Sequence, residues 1–190
     1  MSAQLSPRVK ELIAKARIVS FDGWQEQFGE GAIATLQTAD DERTYLSDAL
    51  LESMPASDLA RSLRDHASAI VDIARAQVLE EFPGITEPGG GLYPAIRADA
   101  CWRDFWHFLR CITYGIAAQR TDYTSTTGLS YMEQLYQELQ VPLGAMVFGL
   151  KSLKTVSKHH LAQLGVAVND DQLDPYFDHL IQALSQFQTT

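Results

Sequence analysis

Hydrophobic residues recur along most of this chain at intervals of three and four, the spacing that gathers them on one face of an α-helix. The pattern is plainest near the end, where Phe177, Leu180, Ile181, Leu184 and Phe187 form one stripe. Asp174 and Pro175 just before it read as a cap and a first-turn proline. Near the start, Ser6 and Pro7 read the same way and open a short helix with Val9, Leu12, Ile13 and Ala16 on one side. A second helix is predicted over residues 23–38, weakened by Gly29 and Gly31, and a third, short one over 45–54, ended near Pro55. Residues 57–81 read as one longer helix carrying Leu59, Leu63, Ala67, Ile70, Ile73 and Ala74. Pro83, Gly84, Pro88 and three successive glycines make 82–93 a loop. A long central helix is predicted over 95–118, another over 128–139, stopped before Pro142, and a further one over 143–161.

No segment alternates with the period of two that marks a half-buried strand, and no repeat, low-complexity block or linker interrupts the pattern. The fold class expected is all-α. Helices of unequal length joined by varied loops predict a globin-like packing rather than a regular four-helix bundle. The expected division is an N-terminal helical extension with the first helix over residues 1–37, followed by a globin-like domain over 38–190.

Composition narrows the function. A chain of 190 residues that is 46% hydrophobic suffices for one domain with a full core. Acidic residues outnumber basic ones 24 to 15, for a net charge of −9. That excludes a duplex nucleic-acid binder, which needs a basic face, and disfavours docking on anionic lipid. No apolar run reaches the ~18 residues of a membrane span, and no signal-peptide core opens the chain, so the cytoplasm is the expected location. The two cysteines, Cys101 and Cys111, lie roughly 15 Å apart on the central helix, too far for a disulfide. No Gly-x-Ser-x-Gly occurs, no acid pair stands out, and the glycine run lacks the strand–loop–helix setting of a nucleotide site. The five histidines show no metal-ligand spacing, and no enzyme activity is expected.

The central helix carries the candidate chemistry. At 100° per residue, Arg97, Cys101, Asp104 and Phe108 fall within about 60° of one another. Arg103, His107, Arg110 and Tyr114 occupy a second arc of about the same width. Phe105, Trp106, Leu109, Ile112 and Ile116 cover the apolar remainder. Taken alone, the first face also fits a small buried cysteine beside a surface ion pair, and the second a solvated polar stripe.

The order of residues around that helix resembles the chromophore-attachment segment of the phycobiliproteins. The family's elements occur in register as Pro88, Gly89, Gly90, Tyr93, Arg97, Cys101, Arg103, Asp104, Leu109, Arg110, Thr113 and Tyr114. The likeness extends upstream to Ala39, Asp40, Tyr45, Leu46 and Ser47. Downstream it includes the segment around Tyr136 and Pro142 and reaches Lys154. The resemblance implies a globin-like fold in which Cys101 forms a thioether to a linear tetrapyrrole of the phycocyanobilin type. It further implies that Asp104 accepts from the inner pyrrole N–H groups and that Arg103 and Arg97 pair with the propionates. Asp40, Arg110 and Tyr114 match positions that join two globin-like subunits, so the implied partners are further phycobiliprotein-like subunits, in a homo- or hetero-oligomer. A place at the thylakoid surface, through the phycobilisome, is implied with it.

The chain departs from the family's pattern at defined points. Gln119–Arg120 stands where a Gly-Asp is usual, Gly91 where an asparagine is, and Ile96 where a basic residue is. Asp41, Glu42, Arg43 and Thr44 replace an Ala-Arg-Gly-Glu. The segment between Ser47 and Pro88 is shorter than usual, and an extra stretch precedes the usual start. These changes fall largely on surfaces for pairing and ring assembly. Two readings therefore stand side by side: a bilin-carrying subunit for light harvesting or light sensing, and a non-pigmented paralogue that docks on phycobiliproteins as scaffold, chaperone or regulator.

Overall fold

Nine helices follow one another among residues 5–188, the part of the chain that the computed structural model describes. They are α1 (Pro7–Lys15), α2 (Glu30–Asp41), α3 (Asp48–Leu51), α4 (Ser57–Asp65), α5 (Ala67–Glu81), α6 (Ala95–Ala118), α7 (Thr126–Glu138), α8 (Leu143–Gln163) and α9 (Asp170–Ser185). The extreme ends of the two expected segments, residues 1–4 and 189–190, lie outside the described residues. Extended pairing among the described residues amounts to one isolated antiparallel bridge, Val19 to Thr124. The all-α expectation agrees with this architecture.

Helix α6 is the axis. Every residue from Phe108 to Ala118 is buried, so this half is wrapped on all sides and its polar groups find partners within the chain. Helices α4, α5, α8 and α9 pack around it. The approach of α8 is closest at Gly149, where a Cβ would fall 2.1 Å from Phe105 Cζ. No side chain fits there without separating the two helices. The first half of α6 is covered less completely, and its uncovered side faces the cavity described below.

Helix ends account for several differences from the predicted boundaries. The stretch 57–81 is two helices, broken at His66, whose backbone leaves the helical region (φ −111°, ψ 10°). His66 Nδ1 lies 2.8 Å from the Ser62 carbonyl, the acceptor that its own backbone amide would use in a continuous helix. The last helix begins before Asp174–Pro175. Asn169 and Gln172 form a reciprocal capping box, and Pro175 sits inside the helix. The predicted 23–38 helix begins only at Glu30, after turns that use Gly23 at φ 77°. The 45–54 segment keeps a single helical turn behind the Ser47 cap.

Within the expected extension, α1 packs on α7 and its buried Val9 and Leu12 lie outside the main buried cluster, whereas the residues after it join that cluster. Val19, Phe21, Trp24, Phe28 and Leu36 belong to the same buried cluster as α6, and Trp24 is wholly buried. Phe21 stacks on Tyr114 of α6 with ring centroids 6.2 Å apart.

Helix α6 stops at Gln119, which adopts the left-handed conformation (φ 54°, ψ 41°) and donates its amide to the Ile116 and Gly115 carbonyls. A non-glycine residue pays roughly 1–2 kcal/mol for that conformation. Gln119→Gly should therefore raise stability by about 0.5–1 kcal/mol after the greater freedom of the unfolded chain is subtracted. Urea denaturation checks this, and an unchanged or lower midpoint would contradict it.

Candidate functional site

A cavity of about 410 Å³ opens beside the first half of α6. One wall is the α6 face with Arg97, Ala100, Cys101 and Asp104. The opposite wall is α7 and the turn after it, where Met132, Leu135, Tyr136 and Leu139 recur at helical spacing and Val141 follows. The third wall is N-terminal: Ile13 and Ala16 with the following Arg17 and Ile18. That segment is pinned to α7 by Arg17 N donating to the Gly128 carbonyl at 3.3 Å and by Ser125 N donating to the Ile18 carbonyl at 2.7 Å. At Gly128 the chains touch so closely that a Cβ would fall 2.4 Å from the Arg17 carbonyl oxygen.

All four predicted ligand-holding residues, Cys101, Asp104, Arg97 and Arg103, line this one cavity. Asp104 is half-buried and accepts from the Tyr136 hydroxyl at 2.8 Å. Burial raises its carboxyl to a pKa of about 6, against the opposing pull of the Tyr136 bond and of Arg103 and Arg43. Cys101 is 5% exposed. Burial and the Asp104 charge push its thiol up to about 12, with Arg97 pulling the other way. Arg97 Nη2 donates to the carbonyls of Gly91 at 3.1 Å and Gln140 at 3.0 Å, which ties the guanidinium to the turns before α6 and after α7. Cys111 is wholly buried in the core and takes no part in the cavity lining.

Asp40, Arg110 and Tyr114 also come together, but inside the chain. Arg110 donates to Asp40 at 2.9 Å and to the Tyr114 hydroxyl at 2.9 Å. Tyr114 in turn donates to the Thr44 carbonyl. Arg110 Nε points to His107 Nδ1 at 3.4 Å. Burial, followed by Arg110, Arg43 and Arg103, lowers the His107 pKa to about 4, so the ring is neutral at pH 7. Asp40 and Arg110 are each 4% exposed and Tyr114 wholly buried. Within this chain Asp40, Arg110 and Tyr114 are covered, whereas Arg103 of the same stripe is exposed. The end of α2 and the turn after it fold back over this part of α6 and satisfy its polar groups within the chain.

Sequence reasoning missed Arg43, Tyr136 as a partner of Asp104, and the N-terminal wall. Tyr136 stood in the matched register. Arg43 stood among the departures. Ile13 and Ala16 carried only the signal of an amphipathic first helix, which does not say what the helix covers.

The family model "Phycobilisome protein" matches residues 34–184. The chain is 31% identical over 169 residues to allophycocyanin subunit beta-18 of Nostoc sp., covering 89% of this chain and 94% of that one. It is 32% identical over 155 residues to allophycocyanin subunit alpha-B of Nostoc sp., covering 77% and 94%. Among solved structures it is similar to a far-red fluorescent biliprotein derived from a far-red induced allophycocyanin F subunit of Chroococcidiopsis thermalis. That likeness has a TM-score of 0.63 at 27% identity, over 68% of this chain and 95% of that one.

Two expected outcomes follow from the geometry. Arg110→Ala leaves Asp40 buried without its cation and should cost about 3–5 kcal/mol, whereas Asp40→Leu combined with Arg110→Met should cost less than Arg110→Ala alone. Denaturant titration of the variants reads this, and an Arg110→Ala cost below about 1 kcal/mol would contradict the pair's burial. For Asp104, the folded pKa of about 6 exceeds the unfolded value of roughly 3.9. The folded state then binds the proton more tightly, and this group costs stability as pH rises through that window. Asp104→Asn should raise the melting temperature of the protein with its cavity empty at pH 7 and leave it nearly unchanged near pH 4. A lower melting temperature at pH 7 would contradict the assignment.

Proposed function

Because this chain belongs to the phycobilisome protein family, we propose that it is a light-harvesting or light-sensing subunit that carries a linear tetrapyrrole, a bilin, covalently on Cys101. The observation that carries this reading is the convergence of Cys101, Asp104, Arg97 and Arg103 on one cavity. The donor set fits such a group. A linear tetrapyrrole has N–H donors along its middle, carboxylate arms at its edge and an otherwise flat apolar body. Asp104 offers an anionic acceptor and the arginines planar forks that match carboxylates. Met132, Leu135, Leu139 and Ile18 offer apolar wall.

When bound, the bilin supplies the absorption of visible light. The chain supplies the rest. Tyr136 orients the Asp104 carboxylate through its hydroxyl, and N–H donors beside that carboxylate would further favour its charged form against the burial that disfavours it in the empty cavity. Arg97 is already directed by two backbone carbonyls and needs little reordering to take a carboxylate. Cys101 provides the thioether sulfur. Its thiol is deprotonated only rarely at pH 7, so attachment is slow unless a lyase or a higher pH supplies the thiolate.

The chain is not an enzyme; proteins of its family are pigment-carrying, structural light-harvesting proteins. Its partners in this reading are further subunits of the same family, which the relatives' designation as subunits supports. In such an assembly Asp40, Arg110 and Tyr114 would shape the contact face from beneath. No helix among the described residues is long and apolar enough to cross a membrane. The proposed location is the cytoplasm, at the thylakoid surface through the phycobilisome.

Protein made in a bilin-producing host should gain the mass of one bilin and show zinc-induced fluorescence on a denaturing gel. Cys101→Ala should abolish both, and Cys111→Ala neither. Without a lyase, the attachment rate should rise about tenfold per pH unit between roughly pH 7 and 9, following the thiolate fraction. Absence of a mass gain would overturn the pigment reading in favour of the non-pigmented paralogue.

A further inference from the structure

The cavity contains two cations that no group among the described residues engages. Arg43 and Arg103 both line it, and neither makes an ion pair or a side-chain hydrogen bond among the described residues. The other arginines of the lining are held. Arg17 pairs with Asp41 at 3.2 Å, Arg110 with Asp40 at 2.9 Å, and Arg97 is bound to two carbonyls. Arg43 and Arg103 act on the same two neighbours. Both hold the Asp104 carboxyl below where burial alone would put it, and both push the His107 imidazole down. His107 is neutral and has no charge to offer them. Two exposed guanidiniums from different elements thus share one small region, a like-charge arrangement that is relieved when an anion enters between them.

The backbone at Arg43 accounts for its position. Its φ of 56° is in the left-handed region, which costs a residue other than glycine roughly 1–2 kcal/mol. The turn is closed by Arg43 N donating to the Asp40 carbonyl at 3.0 Å and Thr44 N donating to the Ala39 carbonyl at 2.9 Å. Both sides of the turn are fastened to α6, Asp40 through Arg110 and the Thr44 carbonyl through Tyr114. The buried network therefore fixes where Arg43 stands relative to Arg103. The left-handed residue is the cap that ends α2, as Gln119 ends α6, and it holds the Arg43 side chain at a defined place on the cavity rim.

We propose that Arg43 is a ligand-contacting residue that forms, with Arg103, a clamp for one carboxylate arm of the bound pigment, while Arg97 takes the second arm. The clamp rests on the bilin reading above and adds to it a cation from the turn between α2 and α3, outside the central helix. Planar guanidiniums suit the task, because each presents paired N–H donors to a carboxylate.

The test uses the full chain reconstituted with phycocyanobilin and, in parallel, with its dimethyl ester, in which both arms are uncharged. Arg43→Gln should retain the thioether, read as an unchanged mass gain. Its absorption should shift and broaden, and the non-covalent affinity before attachment, read on Cys101→Ala backgrounds, should fall about tenfold. Arg43→Lys should recover part of the loss. With the dimethyl ester, Arg43→Gln should fall no further below the otherwise unaltered chain. Arg43→Gly separates a ligand role from a structural one. It relieves the left-handed strain and should melt no lower when empty, yet change the spectrum as Arg43→Gln does. If the unaltered chain is pigmented and Arg43→Gln matches it in spectrum and affinity, or if the ester and Arg43→Gln losses add, the clamp is overturned alone. If the unaltered chain takes no pigment, the clamp and the bilin reading fall together.

Discussion

The ion pair between Asp40 and Arg110 is the constraint on which the arrangement around the cavity depends. Two charges almost without solvent contact are tolerable only when each is paired and the remaining donors are used. Here Arg110 also serves the Tyr114 hydroxyl, and Tyr114 passes a hydrogen bond to the Thr44 carbonyl. The network crosses from the central helix to the end of α2 and the turn that follows. It therefore holds one rim of the cavity to the helix that carries the thiol. Apolar side chains of equal volume would bind these elements together as strongly, but they would not dictate one orientation of a polar turn.

The cavity's chemistry results from placing few polar groups in an apolar surround. Burial raises both the Cys101 thiol and the Asp104 carboxyl, and the Asp104 charge adds to the first, so the empty site disfavours the charged form of each. A site of this kind is poorly reactive until something with complementary donors enters it. Arg43 and Arg103 compensate from the edge, where they remain hydrated and carry no comparable penalty. The charge distribution is thus a carboxylate in the middle and cations at the periphery, the inverse of a flat ligand with central N–H donors and acidic arms.

Much of this was legible in the residues. The period of the apolar positions located α6, α7 and α8 to within a turn, because long helices with one buried face repeat their signal many times. The face shared by Arg97, Cys101 and Asp104 followed from helical geometry alone. What failed did so where a local interaction competes with periodicity. The His66 ring takes a carbonyl that the helix would use, and the Asn169–Gln172 box starts a helix ahead of the proline that looked like its beginning. The inward orientation of Arg110 and Tyr114 was hidden for a different reason. A polar stripe on a helix has the same pattern whether solvent, another subunit or the chain's own earlier residues cover it. The contribution of Ile13, Ala16 and Ile18 to the cavity was illegible on the same ground, since it depends on contacts distant in sequence.

The contact at Gly128 also orders events in time. The N-terminal wall of the cavity leaves the ribosome first, yet the backbone it rests against belongs to α7, more than a hundred residues later by the numbering of Arg17 and Gly128. A loop of that length must close before the wall has anything to lean on, and such closures come late in folding. During synthesis Cys101 is therefore flanked by an unfinished pocket, open on two sides until Val141 has emerged. Any reagent directed at Cys101 therefore meets either a nascent chain with an accessible thiol or a finished one with a sheltered thiol, and these are different substrates.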